Sequence, residues 1–261
     1  KGIKLIANAA GVNAPACLAA TKQALSEIGL EGIRIGIVEG DDILDKLDVL
    51  TNAGEELVNM DTGAALASIK NDIISANVYI GAASIVEALQ QEADIVITGR
   101  ASDPSLAVAP LVYEFGWSFE DFDKIASATV LGHIIECGPQ CTGGNYTDWR
   151  DVQDFAHIGF PVAEAYEDGS FVVTKHEGTG GLINVESVTS QLLYELGDPA
   201  RYLSPDCIAD FTSIHMEQDG PDRVRVHGVK GLPPTDSFKV SMSFANGYKI
   251  LTTLCISGPD A

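Results

Sequence analysis

Short apolar runs alternating with helix-length segments over residues 1–100 predict an α/β fold for the first part of this 261-residue chain. Glycine or acidic turns close each run, and residues after 150 switch to period-two runs joined by tight turns. Strands separated by helices of this length imply right-handed crossovers, hence a parallel sheet of Rossmann-like βαβ units over 1–150. Tight turns between alternating runs imply an α+β part with antiparallel hairpins over 151–261. The boundary is placed in the polar stretch 145–154.

Each element has its own signal. Ile3-Lys4-Leu5-Ile6-Ala7 is an apolar run, and Lys1 to Asn8 reads as a buried strand ending at the turn Asn8-Ala9-Ala10-Gly11. A helix over 14–28 closes at Gly29, and the strand Ile33 to Val38 follows, ending in Glu39-Gly40-Asp41-Asp42. The helix 82–91 leads into the strand 94–98. Ser118 is placed as the cap of a helix running to Glu136, where Gly138-Pro139 stops it. Runs at 160–166 and 170–175 flank Glu167-Asp168-Gly169 as a hairpin, and 185–196 reads as a helix stopped by Gly197-Asp198-Pro199. Residues 222–229 alternate as a strand, and 238–245 with 248–257 flank Asn246-Gly247 as a second hairpin. With strand signals this near both ends, the chain reads as cut from something longer.

Hydrophobic residues make up 46% and charged residues 20%, an ordinary globular balance that argues against disorder. A formal net charge of −21 repels phosphate backbones, so nucleic acid is not an expected partner. Salt adaptation is an equally good account of the acidity. No apolar run reaches the roughly 20 residues of a membrane helix, so no membrane partner is expected. Five scattered cysteines (Cys17, Cys137, Cys141, Cys207, Cys255) and no secretory signal suit free thiols in a cytoplasmic protein.

In parallel sheets ligands sit beyond the carboxyl ends of the strands, and those ends carry Asn8, Glu39 with Asp41, and Gly99 with Arg100. Arg100 offers a donor fork suited to carboxylate or phosphate. Asp103 before Pro104 suits a helix cap, so the helix start at Asp103-Pro104-Ser105 would aim N–H groups at the same anion. The alternative makes Arg100 a structural clip on Asp103. His133 and Glu136 share one helix face and are acid–base candidates, against His133 as a dipole-stabilised helix cap. Gln140 and the turn Thr142-Gly143-Gly144 would bring backbone close to a ligand. Cys141 is not read as a zinc ligand, since no second ligand pair exists, and no metal is expected. Lys175 before the turn 178–181, with Thr179 and Gly180, forms a second anion cradle. Asn77, ahead of a helix, is placed near the same sheet edge or in a capped loop. No Walker, dinucleotide, Gly-x-Ser-x-Gly or His-Glu-x-x-His pattern occurs.

Several stretches together resemble the AtuA-like family of acyclic terpene utilisation proteins. They are Val-Glu-Gly-Asp-Asp at 38–42, Ser-Ala-Asn-x-Tyr-Ile-Gly at 75–81, and Ala-Asp-Ile-Val-Ile-Thr-Gly-Arg-x-x-Asp-Pro-Ser-Leu at 93–106. Ala-Pro-Leu-Val-x-Glu-Phe-Gly-Trp at 109–117, Gly-His-x-x-Glu-Cys-Gly-x-Gln-x-Thr-Gly-Gly at 132–144 and Thr-Lys-x-x-Gly-Thr-Gly-Gly at 174–181 continue the match. Gln-Leu-Leu-Tyr-Glu-x-x-Asp-Pro at 191–199 and Ala-Asp-Phe at 209–211 complete it, while Cys141 and His176 are local variants. The resemblance implies a cytoplasmic catabolic enzyme acting on an acyl-CoA or small carboxylic acid, of hydratase or lyase type, in citronellol or geraniol degradation. It implies CoA only as part of the substrate, and an additional N-terminal α/β portion that this chain lacks; a small-molecule partner and a homo-oligomer are also expected. Arg100 would anchor the anion while His133 and Glu136 move protons. The competing reading is a non-catalytic binding or assembly subunit of a catabolic complex.

Overall fold

The computed structural model describes residues 2–11 and 13–258. Lys1, the first residue of the expected opening strand, lies outside them. In chain order the elements are β1 (Leu5–Ala7), α1 (Ala14–Glu27), β2 (Ile35–Val38), α2 (Leu47–Asn52), β3 (Ile73–Val78), α3 (Ala83–Gln90) and β4 (Ile95–Thr98). Helices α4 (Ser105–Phe115) and α5 (Phe122–Ile135), hairpin strands β5 (Pro161–Ala165) and β6 (Phe171–Lys175), and helix α6 (Val185–Leu192) follow. The remaining strands are β7 (Tyr202–Leu203), β8 (Ile208–Asp210), β9 (His215–Gln218), β10 (Val224–His227), β11 (Lys230–Leu232) and β12 (Val240–Phe244).

The fold mixes helix and strand, with one small parallel sheet and separate antiparallel sheets. The parallel sheet has the order β1-β4-β2, so the last strand in sequence is central. Leu5 pairs with Ile95 and Val38 with Thr98, which aligns the carboxyl ends of all three strands. The opening strand is not buried as expected. It is a sheet edge, with Ile3 and Leu5 exposed and no residue of α1 buried. Strands β5-β6-β10-β9 form an antiparallel sheet containing the expected hairpin around Glu167-Asp168-Gly169, and β11-β8-β7 form another.

The second expected hairpin does not form. Strand β12 pairs antiparallel with β3, Val240 opposite Val78 and Met242 opposite Ala76. The pairing lets Val240 and Met242 pack with Ile73 and Val78 over Ile43, Leu47 and Ala76, a satellite core. Residues 248–257 stay irregular, and their apolar side chains Tyr248, Ile250, Leu251, Leu254 and Ile256 are exposed. The same pairing makes residues 75–78, including Asn77, a strand rather than a capped loop.

Helix α5 is the axis of the main core. Every residue from Ile125 to Ile134 is buried, the mark of an interior helix rather than an amphipathic one. Around it, Val38 and Val96 from the parallel part share one apolar cluster with Phe171, Val224 and Val226 from the antiparallel part. Contact with α4 is close: a methyl on Gly132 would lie 2.6 Å from Pro104 Cα. Helix α5 starts at Phe122 after Asp121, and Ser118 instead accepts from Glu120 N–H at 3.1 Å in the preceding turn. Helix α6 ends at Leu192, four residues before the expected stop, and Glu195 follows in the left-handed region at φ 53°.

Candidate functional site

Asn8, Glu39 and Gly99 directly follow β1, β2 and β4, so the sheet brings them to one edge. There the buried Asp41 is the tie. Its Oδ2 accepts from Asn77 Nδ2 at 2.9 Å and from Arg100 N–H at 2.7 Å, and its own carbonyl accepts from Val78 N–H at 2.8 Å. One carboxylate thus joins the turn after β2 to β3 and to the end of β4. Gly99 is required here, because a side chain would collide with the Asp41 carboxylate. Asp41 Oδ2 and Asn77 Nδ2 are spent on this framework. Glu39 lines a shallow concavity with residues of β2 and α3.

Arg100 is fixed at its backbone and exposed at its guanidinium. It makes no pair with Asp103. Instead its Cζ lies 5.3 Å from the centre of the Tyr79 ring, and Lys239 Nζ lies 5.5 Å from the same centre. Neither cation forms an ion pair among the described residues. In a chain of net charge −21, this is a local positive patch with a rigid aromatic mount.

The Asp103 carboxylate accepts from Asn8 Nδ2 at 2.5 Å, so it crosses to the β1 end instead of capping α4. Helix α4 begins at Ser105 after Pro104. The Ser105 hydroxyl is buried and donates to Asp206 Oδ2 at 2.5 Å, while Ala82 N–H, just ahead of α3, donates to Asp206 Oδ1 at 2.7 Å. The chain's own Asp206 therefore sits where an anion was expected, between the starts of α3 and α4. Burial raises its pKa above the usual carboxylate range, against the two hydrogen bonds.

His133 is 1% exposed. Its Nε2 lies 3.1 Å from the Leu192 carbonyl and its Nδ1 lies 3.1 Å from Glu136 Oε1. A carbonyl only accepts, so Nε2 carries a proton. With Tyr202 and Phe211 packed on its ring, His133 is an internal holder, and Glu136 is the group it presents.

Near Glu136, the groups Cys137, Tyr202, Asp103 and Glu195 are close enough to act on one another electrostatically. Burial, then Glu136, Asp103 and Glu195, hold the Tyr202 phenol protonated far above its ordinary range. Burial likewise raises the Cys137 thiol, helped by Glu136, Glu195 and Asp103 against a lowering contact from Gln191. Glu195 first, then burial, raises Tyr194, against a lowering contact from Gln140. Gln191 is fully buried, and neither its Oε1 nor its Nε2 has a hydrogen-bond partner. The neighbouring Cys137 thiol is too weak a partner to change that. Gln140 Oε1 is unpartnered as well.

The other glycine-rich stretches pack on one another. Thr142 Oγ1 donates to the Gly159 carbonyl at 2.6 Å, the Thr142 carbonyl accepts from Leu182 N–H at 2.8 Å, and Gly180 N–H donates to the His157 carbonyl at 2.9 Å. Gly143 and Gly144 leave room for Val152 and the Pro139 carbonyl. The Lys175 side chain is largely covered, its ammonium held by Asp222 at 3.0 Å and by the Thr179 carbonyl at 2.9 Å. That charge is spent within the fold. Among the described residues no group of three His, Cys, Asp or Glu is arranged to hold a metal ion.

Asp206, Gln191, Tyr194, Glu195, Tyr202, Tyr79 and Lys239 were not singled out from the sequence. The motif stretches 75–81 and 191–199 contain four of them, which was the available signal. Asp206, Tyr202 and Lys239 arrive through long-range contacts that leave no local trace.

No curated protein and no solved structure matches the chain. No helix among the described residues is long and apolar enough to cross a membrane. The family model for the acyclic terpene utilisation family protein AtuA matches residues 1–261. The stretches at 93–106, 132–144 and 191–199, which carry the resemblance in sequence, pack together at α5, Pro104 against Gly132 and the Leu192 carbonyl on His133, and the chain belongs to the AtuA family of acyclic terpene utilisation proteins.

Proposed function

We propose that the protein is a cytoplasmic catabolic enzyme of hydratase or lyase type, acting on an acyl-CoA or small carboxylic acid in acyclic terpene utilisation. The observation that carries this reading is Arg100. Its backbone is locked by Asp41 at the carboxyl end of the parallel sheet, while its guanidinium is left without a carboxylate. Such a cation suits a carboxylate, or a phosphate of CoA carried in with the substrate. Lys239 on the same aromatic ring adds to the field.

In a hydratase or lyase step a base takes a proton from one carbon as a group leaves the next. Glu136 takes that role, because His133 orients its carboxylate at 3.1 Å. Tyr202, kept protonated, is a hydrogen-bond donor near Glu136. His133 is a positioning residue here, since both of its nitrogens are engaged inside the protein.

Calorimetric titration with octanoyl-CoA and with octanoate tests the anchor. Arg100→Gln is expected to weaken binding about tenfold or more with little change in thermal stability. Binding equal to wild type overturns the assignment. The exposed apolar side chains of residues 248–256 favour a second reading, an assembly subunit of a catabolic complex or homo-oligomer. Stable co-purifying enzymes with no turnover by the isolated protein would select it.

A further inference from the structure

We propose that His215 and His227 form a bidentate site for a divalent transition-metal ion on the outward face of the β5-β6-β10-β9 sheet. Strands β9 and β10 pair with His227 directly opposite His215, so the two side chains leave the same face. Their neighbours Met216 and Val226 point the other way, into the main core. The two imidazoles stack with ring centres 5.5 Å apart and planes 26° apart. His215 is exposed and His227 half-buried, so an ion reaches them from solvent. The site departs from the expectation of no metal, because only the β9–β10 register brings the two rings together.

Neither ring has a hydrogen bond or ion pair among the described residues, unlike His133 and His157. A methyl on Gly228 would lie 2.7 Å from His215 Cδ2, so glycine admits that edge of the ring and Nδ1 lies on the opposite edge. Zinc binds imidazole nitrogen at about 2.0–2.1 Å, which sets two neighbouring nitrogens about 3 Å apart. Directly opposed strand residues have Cβ atoms about 4.5–5.5 Å apart, a span that side-chain torsions close without moving the backbone. Imidazole selects zinc, copper or nickel over calcium and magnesium, which take oxygen ligands. Glu217, at the next outward position of β9, forms no ion pair among the described residues and adds negative potential. Arg225 opposite it is drawn over the Tyr166 ring, 5.4 Å from its centre, and to Ser170 Oγ at 3.3 Å. With two protein ligands, water fills the remaining positions, and the ion ties the edge strand β9 to β10.

Calorimetric titration of the untagged protein with Ni2+, and the EPR spectrum with one equivalent of Cu2+, test the proposal. The wild type is expected to bind one Ni2+ and to gain Tm as it does, since the ion bridges two strands only in the folded state. The Cu2+ spectrum is expected to show two imidazole nitrogens. His215→Phe and His227→Phe each keep a ring for stacking, and each is expected to weaken Ni2+ binding at least about tenfold, because the second contact is no longer intramolecular. His157→Phe is expected to leave binding unchanged. Absence of saturable Ni2+ binding, binding that survives either substitution, or a Cu2+ spectrum with a single imidazole overturns the site. The Cu2+ spectrum needs only the wild type, so it decides the matter even where a variant fails to fold.

Discussion

Asp41 and Arg100 stand 59 positions apart in sequence, yet the carboxylate of the first accepts the main-chain N–H of the second at 2.7 Å. The bond sets the turn from which the guanidinium projects. Asp41→Ala should orphan both Arg100 N–H and Asn77 Nδ2, at about 1–3 kcal/mol for each group. Urea denaturation checks the loss. A change under about 0.5 kcal/mol would mean that water replaces the carboxylate freely.

His133 offers a way to separate packing from hydrogen bonding. His133→Phe keeps an aromatic ring against Tyr202 and Phe211 and deletes both polar contacts. The Leu192 carbonyl is then buried without its donor, so a loss of about 1–3 kcal/mol is expected in chemical denaturation. His133 acts on turnover only through Glu136. The variant should therefore lower kcat and alter its pH profile more than it raises KM.

Asp206 makes stability depend on pH in a defined direction. Its pKa is raised in the folded protein, so the folded state binds the proton more tightly than the unfolded chain does. Its contribution is fully present below the unfolded carboxylate value of about 3.9 and is lost as pH rises through the folded value. Asp206→Asn removes the titration. Wild type should therefore lose stability relative to the variant as pH rises from about 4 to 7. A difference in unfolding free energy that stays flat with pH would contradict this.

The thiols should divide by burial. Cys141 is buried with its pKa pushed up to about 12, and Cys207 is buried with its pKa pushed up to about 11, so both stay protonated and inert. Cys255 is exposed. Brief alkylation of the native protein followed by peptide mass mapping should label Cys255 first. Cys141 and Cys207 should react only after denaturation.

Much of the parallel part was legible because its signals are local. Apolar runs of strand length end at glycine or acid, and the residues that follow are carried to one sheet edge by the chain direction alone. The antiparallel part was half legible. Glu167-Asp168-Gly169 makes the turn its composition suggests, whereas the equally strong Asn246-Gly247 signal is overridden. Strand β12 gains a satellite core by pairing with β3, and residues 248–257 have no covered apolar face. The site was legible as a set of motifs but not as a division of labour. Spacing placed His133 and Glu136 on one helix face, but only the burial of α5 shows which of the two is presented. Gln191 reads in sequence as an ordinary helical residue after the capping box of Asn184 and Ser187.

Asp206 also bears on folding autonomy. It lies in the later part of the chain, and the groups it satisfies, Ala82 N–H and the Ser105 hydroxyl, lie in the earlier part. A fragment ending near residue 150 would keep both donors and lose their acceptor, along with the strands that cover α5. Such a fragment is expected to retain helical circular dichroism yet melt without a cooperative transition. The parallel unit would then be a region of one cooperative body, completed only when the last third of the chain has folded onto it.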